Sequence, residues 1–347
     1  MLNTIRRVIG EVYQYDAPKN GYQIEWGGVA ESAQLTVLVP CLLTSDSLID
    51  LYKTLESLFA EVELVLEKKI CSDVQLVVAA QYHPAHQHES DIYIELLQGL
   101  LASKSIVGLT TLLISMDYPN KIDAINTAVE LARQAGSLFF CWCDDDIKVS
   151  SGSLGMLVDK IKSDDCHLAG CRKVLIEQKG QTLWSSIRNS HNKVNKYPQA
   201  YLAFKLDKID HQFDSGVISD DTYLTFANIF IDAEPMNKIA IVEQAVGEFQ
   251  SGATPLSNLK RLRRLVLSNF IVLSRVDESS AKYAFNQIIF KELMDKSHHS
   301  TAKTRLIKRC LYGLYGLFLA EITVRYWLKK PIRQVGWYGH SGKRRPT

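Results

Sequence analysis

From residue 34 onward, continuous apolar runs alternate with stretches whose apolar residues recur every three or four positions. QLTVLVPCLL (34–43) is an apolar, β-branched run, the pattern of a strand buried on both faces of a parallel sheet. Residues 47–66 then set Leu48, Leu51, Leu55, Leu58 and Phe59 at helical spacing. DVQLVVAAQY (73–82) reads as a second buried strand, SDIYIELLQGLLAS (90–103) as a helix and TTLLISM (110–116) as a third strand. After Pro119, Asn120 is placed to cap a helix from Lys121 to about Gln134, with Asp123 in its first turn and Ile122, Ile125 and Val129 on one face. SLFFCWC (137–143) is the fourth strand. Strand and helix alternating in this way imply right-handed crossovers and an α/β fold with a doubly wound, mostly parallel sheet.

The flanks differ. Residues 1–33 form an N-terminal extension with a short basic start and a Gly-rich segment, GYQIEWGGVAESA, that reads as a hairpin. Residues 271–347 form a helical, basic C-terminal region: from Lys303 on, lysines and arginines face a single acid, Glu321. Within it, CLYGLYGLFLA (310–320) is too short to span a bilayer, which takes about 20 apolar residues. Its basic flanks (Lys308, Arg309, Arg325, Lys329, Lys330) and interleaved Tyr312, Tyr315, Tyr326 and Trp327 suit a helix in the interface of an anionic membrane. A helix docked on the main domain or at a dimer seam fits equally, and an oligomer is compatible with either.

At 347 residues and 46% hydrophobic content the chain has ample material for a core, and a net charge of +2 sets up no global field for nucleic acid. The seven cysteines are odd in number and lie mostly in apolar contexts, which suits reduced thiols in a cytosolic compartment. The N-terminus lacks the continuous apolar core of a secretory signal. The expected location is cytoplasmic, with peripheral attachment to the cytoplasmic face of a membrane as an option.

The fourth strand ends on Asp144, Asp145 and Asp146. Three adjacent carboxylates repel one another and are harder to ionise unless a cation is near. A solvated turn is the bland explanation. The end of a strand in a doubly wound sheet is where ligands bind, which favours a site. If the strand continues, Asp144 and Asp146 share a side, and a hard cation such as Mg²⁺ or Mn²⁺ prefers such oxygen ligands. HPAHQH (83–88) has a spacing that fits no standard metal site, and Cys141 and Cys143 read as core thiols.

In the order of these elements the chain resembles, over about residues 34–270, the family 2 glycosyltransferases of GT-A fold, including those with a ceramide glucosyltransferase-like or synthase-like layout. LTVLVPCLL and the helix after it look like the family's opening strand and helix, NKIDAINTAVELA like its Lys-Ala-Asn helix, and CDDD like its DxD motif. VISDDTYLT looks like the segment carrying the catalytic base, and KRLRR (260–264) is similar to the QxxRW motif. The resemblance implies a Rossmann-like GT-A domain and inverting, metal-dependent transfer from a nucleotide-sugar donor to a glycan or lipid-linked acceptor. Mg²⁺ or Mn²⁺ would sit on Asp144 and Asp146, with Asp144 also near the donor. Asp221 would be the base and Asp220 its neighbour, coupling raising one pKa. Lys121, Asn126, Arg263 and Lys260 would contact the donor, Lys121 as a point charge at a helix start.

Each assignment has a plainer counterpart. Ser219, Asp220 and Asp221 fit a helix cap and first turn; Asn126 fits a solvent-facing helix position, and the KRLRR arginines a solvated basic face. The chain also departs from the family pattern. Gln81 stands where an acid usually reads the nucleobase, Lys260 replaces Gln, and Arg264 replaces Trp. A nucleotidyltransferase would need a Gly-rich, basic phosphate loop after the first strand, and PCLLTSDS has none. The remaining rival is a catalytically degenerate GT-A domain acting as a membrane-surface scaffold.

Overall fold

A computed structural model describes residues 2–15, 21–163, 165–176, 197–214, 216–250, 255–291 and 302–334. The chain opens with α1 (Leu2–Val12), then β1 (Tyr13–Tyr15) and β2 (Gln23–Gly27). The alternating apolar core of the sequence follows as β3 (Leu35–Leu42), α2 (Ser45–Glu67), β4 (Val74–Gln81), α3 (Gln87–Ala102), β5 (Leu109–Met116), α4 (Lys121–Gln134) and β6 (Phe139–Cys143). β7 (Ile147–Val149), α5 (Ser153–Lys162), β8 (Leu168–Ile176), β9 (Tyr201–Lys205), α6 (Asp220–Ala227) and β10 (Ile239–Gln250) complete the sheet region. Helices α7 (Pro255–Arg275), α8 (Glu278–Tyr283) with a π-helical turn after it (Ala284–Phe290), α9 (Ala302–Trp327) and a last strand, β11 (Ile332–Gln334), follow.

The helix starts are local. A capping box between Thr44 and Ser47 opens α2, and the Asn120 side chain accepts from the Ile122 amide to open α4. β3, β4, β5 and β6 pair in parallel within a nine-stranded sheet of order β2-β5-β4-β3-β6-β9-β8-β10-β7. β8 and β10 continue in the same direction, while β2, β9 and β7 run against their neighbours. The sheet is buried on both sides because alternate residues face opposite layers. Leu38 and Val77 join α1, α4, α6, α7 and the π turn in one core cluster, and Val37, Val39, Leu76 and Val78 join α2, α3 and α5 in the other.

Two local expectations change. GYQIEWGGVAESA forms no hairpin: it contributes the single strand β2, paired antiparallel to β5 with an irregularity between Ile24 and Trp26. The triple aspartate does not extend β6. The Ile147 amide donates to Asp144 O at 3.2 Å, closing a turn before β7. All three parts of the chain meet in one core: α1 lies against α7 and α9, and β1 pairs with β11. Among the described residues, no helix is long and apolar enough to cross a membrane.

Candidate active site

Asp144 leaves the carboxyl end of β6, beside the ends of β3 and β9, and its amide donates to Ala200 O at 2.8 Å. Lys121 is the first residue of α4 and Asp220 the first of α6. These three converge. Lys121 Nζ is 2.6 Å from Asp144 Oδ1 and 2.7 Å from Asp220 Oδ2. The lysine and Asp220 side chains retain 13% and 10% of their exposure, whereas Asp144 keeps 28%, so the open side of the cluster lies at Asp144.

The charges are strongly coupled. Burial works against the Lys121 ammonium, but Asp144 and Asp220 outweigh it and hold the lysine well above its ordinary pKa. Burial pushes Asp144 up; the lysine opposes this, and the neighbouring charges of Asp220 and Asp146 add to it. Asp144 and Asp146 therefore sense one another across the turn, although alternation along a strand is not what brings them together.

Asp221 takes its place in the first turn of α6. Its Oδ1 accepts from Ser219 Oγ at 2.9 Å, from the Thr222 amide at 2.7 Å and from Thr222 Oγ1 at 3.3 Å. Ser219 stands at the N-cap position without a side-chain cap bond and the two acids fill the first turn, so the bonds from Ser219 and Thr222 fix the Asp221 carboxylate next to Asp220. Asn126 neither faces solvent nor joins the acids: it donates to Phe213 O at 3.1 Å and accepts from the Phe213 amide, holding the segment that leads to α6. Arg263 points away, its Nε 2.9 Å from Glu321 Oε2 on α9, which Arg325 also engages. The neighbouring Arg264 turns inward instead. Burial lowers its pKa, and the fields of Asp220, Asp144 and Asp221 oppose that shift. The Lys260 side chain lies outside the described residues.

Gln81, at the end of β4, is fully buried and donates to Asn120 O at 2.6 Å, tying the second strand to the cap of the helix that carries Lys121. Cys41, Cys71, Cys141, Cys143, Cys166 and Cys171 are buried thiols outside any disulfide. Pro84–His86 forms a 3₁₀ turn in the HPAHQH segment.

The oxygen-only chemistry of the acidic turn suits a hard divalent cation, and four carboxylates (Asp144, Asp146, Asp220, Asp221) against Lys121 and Arg264 leave a formal surplus of two negative charges. Among the described residues, no group of three or more His, Cys, Asp or Glu side chains is arranged to hold an ion alone. A cation on Asp144 and Asp146 would complete its shell from phosphate oxygens and water, as Mg²⁺ commonly does.

No protein-family model matches the sequence, and no curated protein matches it. Among solved structures, the chain is similar to the mannosyltransferase PcManGT from Pyrobaculum calidifontis in complex with GDP-Man and Mn²⁺: TM-score 0.50, 14% identity, covering 95% of this chain and 94% of that one. The fold is GT-A-like. S. aureus TarS 1–349 aligns more loosely, at a TM-score of 0.43 and 12% identity over 83% of this chain and 81% of that one. Its complex with UDP-GlcNAc aligns at 0.42 and 11% over 86% and 92%. The likeness to the mannosyltransferase carries the fold and no subtype, so the ceramide glucosyltransferase-like layout gains nothing from it.

Proposed function

We propose that the protein transfers a sugar from a nucleotide-sugar donor to an acceptor hydroxyl, with inversion at the anomeric carbon and with a divalent cation. The observation that carries this reading is the convergence of Lys121, Asp144 and Asp220 at the carboxyl end of the parallel strands, with Asp146, Asp221 and Arg264 beside them. The fold shared with a mannosyltransferase in complex with GDP-Man and Mn²⁺ supports the donor class and the cation. Residues 34–270 carry the transfer chemistry; of the C-terminal region, the described helices complete the core and α9 faces the acceptor's surroundings.

Asp144 and Asp146 would hold Mg²⁺ or Mn²⁺, which when bound supplies Lewis-acid stabilisation to the departing diphosphate. Lys121 opposes the upward push of burial on Asp144 and, with Arg264, adds positive charge where the leaving group gathers negative charge. Asp221 accepts the proton of the acceptor hydroxyl as its oxygen bonds to the anomeric carbon and the bond to the diphosphate oxygen breaks. The fixed Asp221 Oδ1 leaves the base in one orientation. The acceptor is a glycan or a lipid-linked hydroxyl; the exposed apolar side of α9, followed by Lys329 and Lys330, supports a peripheral position on an anionic, cytoplasmic membrane face.

A panel of nucleotide sugars, screened for hydrolysis and transfer with Mn²⁺ and with chelator, tests the reading. Activity with one donor in Mn²⁺ and none with chelator is expected. Asp221→Asn should keep donor binding and lose at least about a hundredfold in transfer, since an amide holds the shape but takes no proton. Near-normal turnover by that variant would move the base elsewhere. Tight nucleotide binding with no turnover for any donor would favour the scaffold instead.

A further inference from the structure

The acidic turn is followed by a stretch of chain whose backbone polar groups reach a single polar stripe on α2. Thr54, Ser57 and Glu61 are spaced three and four apart and so lie on one face of that helix. Thr54 and Glu61 are 1% and 2% exposed, positions where polar side chains require partners. Their partners lie in order along residues 145–154. Thr54 Oγ1 shares its proton between Asp50 O of its own helix (3.1 Å) and Asp145 O in the middle of the triple aspartate (3.0 Å). Ser57 Oγ accepts from the Val149 amide at 3.1 Å and donates to Thr54 O at 2.8 Å. The Glu61 carboxylate accepts from the Gly152 amide at 2.6 Å on one oxygen and from the Leu154 amide at 2.8 Å on the other.

No bond in this series touches the acids' side chains. Each fixes backbone, and together they run from the acidic turn through β7 to the first turn of α5. A turn bearing three like charges opens through self-repulsion unless its backbone is held elsewhere, and a cation site demands placement of its carboxylates to within about half an ångström. Other ties of the turn include the Asp144 amide to Ala200 O, the Ile147 amide to Asp144 O and the Lys121 ammonium to the Asp144 carboxylate. The Thr54 bond falls on Asp145, which links the two acids assigned to the cation.

We propose that Thr54, Ser57 and Glu61 are positioning residues that set the separation of the Asp144 and Asp146 carboxylates through the backbone, and so the affinity of the site for a divalent cation. The proposal rests on the reading of Asp144 and Asp146 as cation ligands. Thr54 acts most directly, through the Asp145 carbonyl; Ser57 and Glu61 fix the far side of the turn by anchoring β7 and the start of α5.

Mn²⁺ alone, titrated into the full-length protein and followed by loss of the free-ion electron paramagnetic resonance signal, tests this without any turnover. Thr54→Val removes the hydroxyl at nearly constant volume and should weaken Mn²⁺ binding about tenfold, the lower range for a group acting behind the ligands. Thr54→Ser keeps the hydroxyl and should restore affinity to within about twofold of wild type. Val62→Ala, a cavity on the same helix at a fully buried position, should lower the melting temperature and leave Mn²⁺ affinity unchanged. Should Thr54→Val not fold, Ser57→Ala replaces it with the same expected direction. Wild-type affinity in the Thr54→Val or Ser57→Ala protein, with binding lost in Asp144→Ala and Asp146→Ala, overturns the positioning role alone. An equal loss in Val62→Ala overturns it too, by reducing the effect to general stability. Binding that survives Asp144→Ala and Asp146→Ala overturns the cation reading, and this inference with it.

Discussion

One residue of helical phase separates Arg263 from Arg264, and it reverses their roles. Successive residues on a helix point about 100° apart, so a motif can locate the helix and still leave the choice of side chain open. KRLRR drew attention to Arg263 because it keeps a motif identity; the structure engages that guanidinium with Glu321 and turns Arg264 toward Asp144, Asp220 and Asp221. Removal of Arg264 should therefore act on chemistry. Arg264→Ala is expected to lower transfer efficiency about a hundredfold, the scale for a single donor aimed at developing charge. Arg263→Ala should leave kcat/KM near wild type and cost under about 1 kcal/mol in urea unfolding, because its pair with Glu321 is partly exposed and Arg325 remains on the same carboxylate. Equal kinetic losses in the two variants would contradict the assignment. The same limit explains Asn126 and Lys121. Both were legible as polar positions on α4, but only three-dimensional packing shows that the lysine joins two acids and the asparagine holds a loop.

At the level of elements, the buried strands and the helices between them were readable because their periodicity is local, and α4 begins and ends where its cap and composition indicate. Glycines were not. GYQIEWGGVAESA reads as a hairpin because paired glycines mark turns, yet a glycine also marks close backbone approach, and sequence does not separate the two. Gly27 serves the second purpose. Its φ is +73°, and a Cβ placed there would lie 2.0 Å from Thr111 O on β5. Gly28 has nothing within 4 Å of such a carbon. Gly27→Ala should then destabilise by about 1–3 kcal/mol, since the strained backbone and the collision coincide, whereas Gly28→Ala should stay within about 0.5 kcal/mol of wild type. Urea unfolding of the two variants side by side measures the difference. Similar values would mean that β2 is not held against β5 by this contact. The acidic turn failed as a strand for a related reason: the bond from the Ile147 amide to Asp144 O depends on where β7 must go to meet β10, a pairing about a hundred residues distant in the chain.

Over the whole molecule, the parallel half of the sheet was legible and the insertion of β9 between β6 and β8 was not, since non-neighbouring strand order leaves no periodic trace. The C-terminal region shows the same mixture. Its two readings, a helix docked on the core and a helix facing a membrane, are compatible once the faces of α9 are separated. Tyr315, Phe318, Leu319, Ile322 and Tyr326 pack toward the core, while Leu317, Val324, Trp327 and Leu328 are 65%, 54%, 78% and 59% exposed. An amphipathic surface helix would put polar residues on that outer side. Deleting the helix would uncover the core as well as remove the outer face, so substitution is the cleaner test. Replacing Leu317, Val324 and Trp327 with glutamate in the full-length protein should leave the melting temperature nearly unchanged, because exposed positions contribute little. Wild type is expected to sediment at low salt with phosphatidylcholine vesicles containing phosphatidylglycerol and not with phosphatidylcholine alone. Basic residues near such a surface add about 1 kcal/mol each, and salt screens them. The triple variant should stay in the supernatant. If it sediments as wild type does, the outer face of α9 is not the contact; if wild type ignores the vesicles and forms a dimer that the variant loses, the face is a seam between two copies and the acceptor need not be lipid-linked.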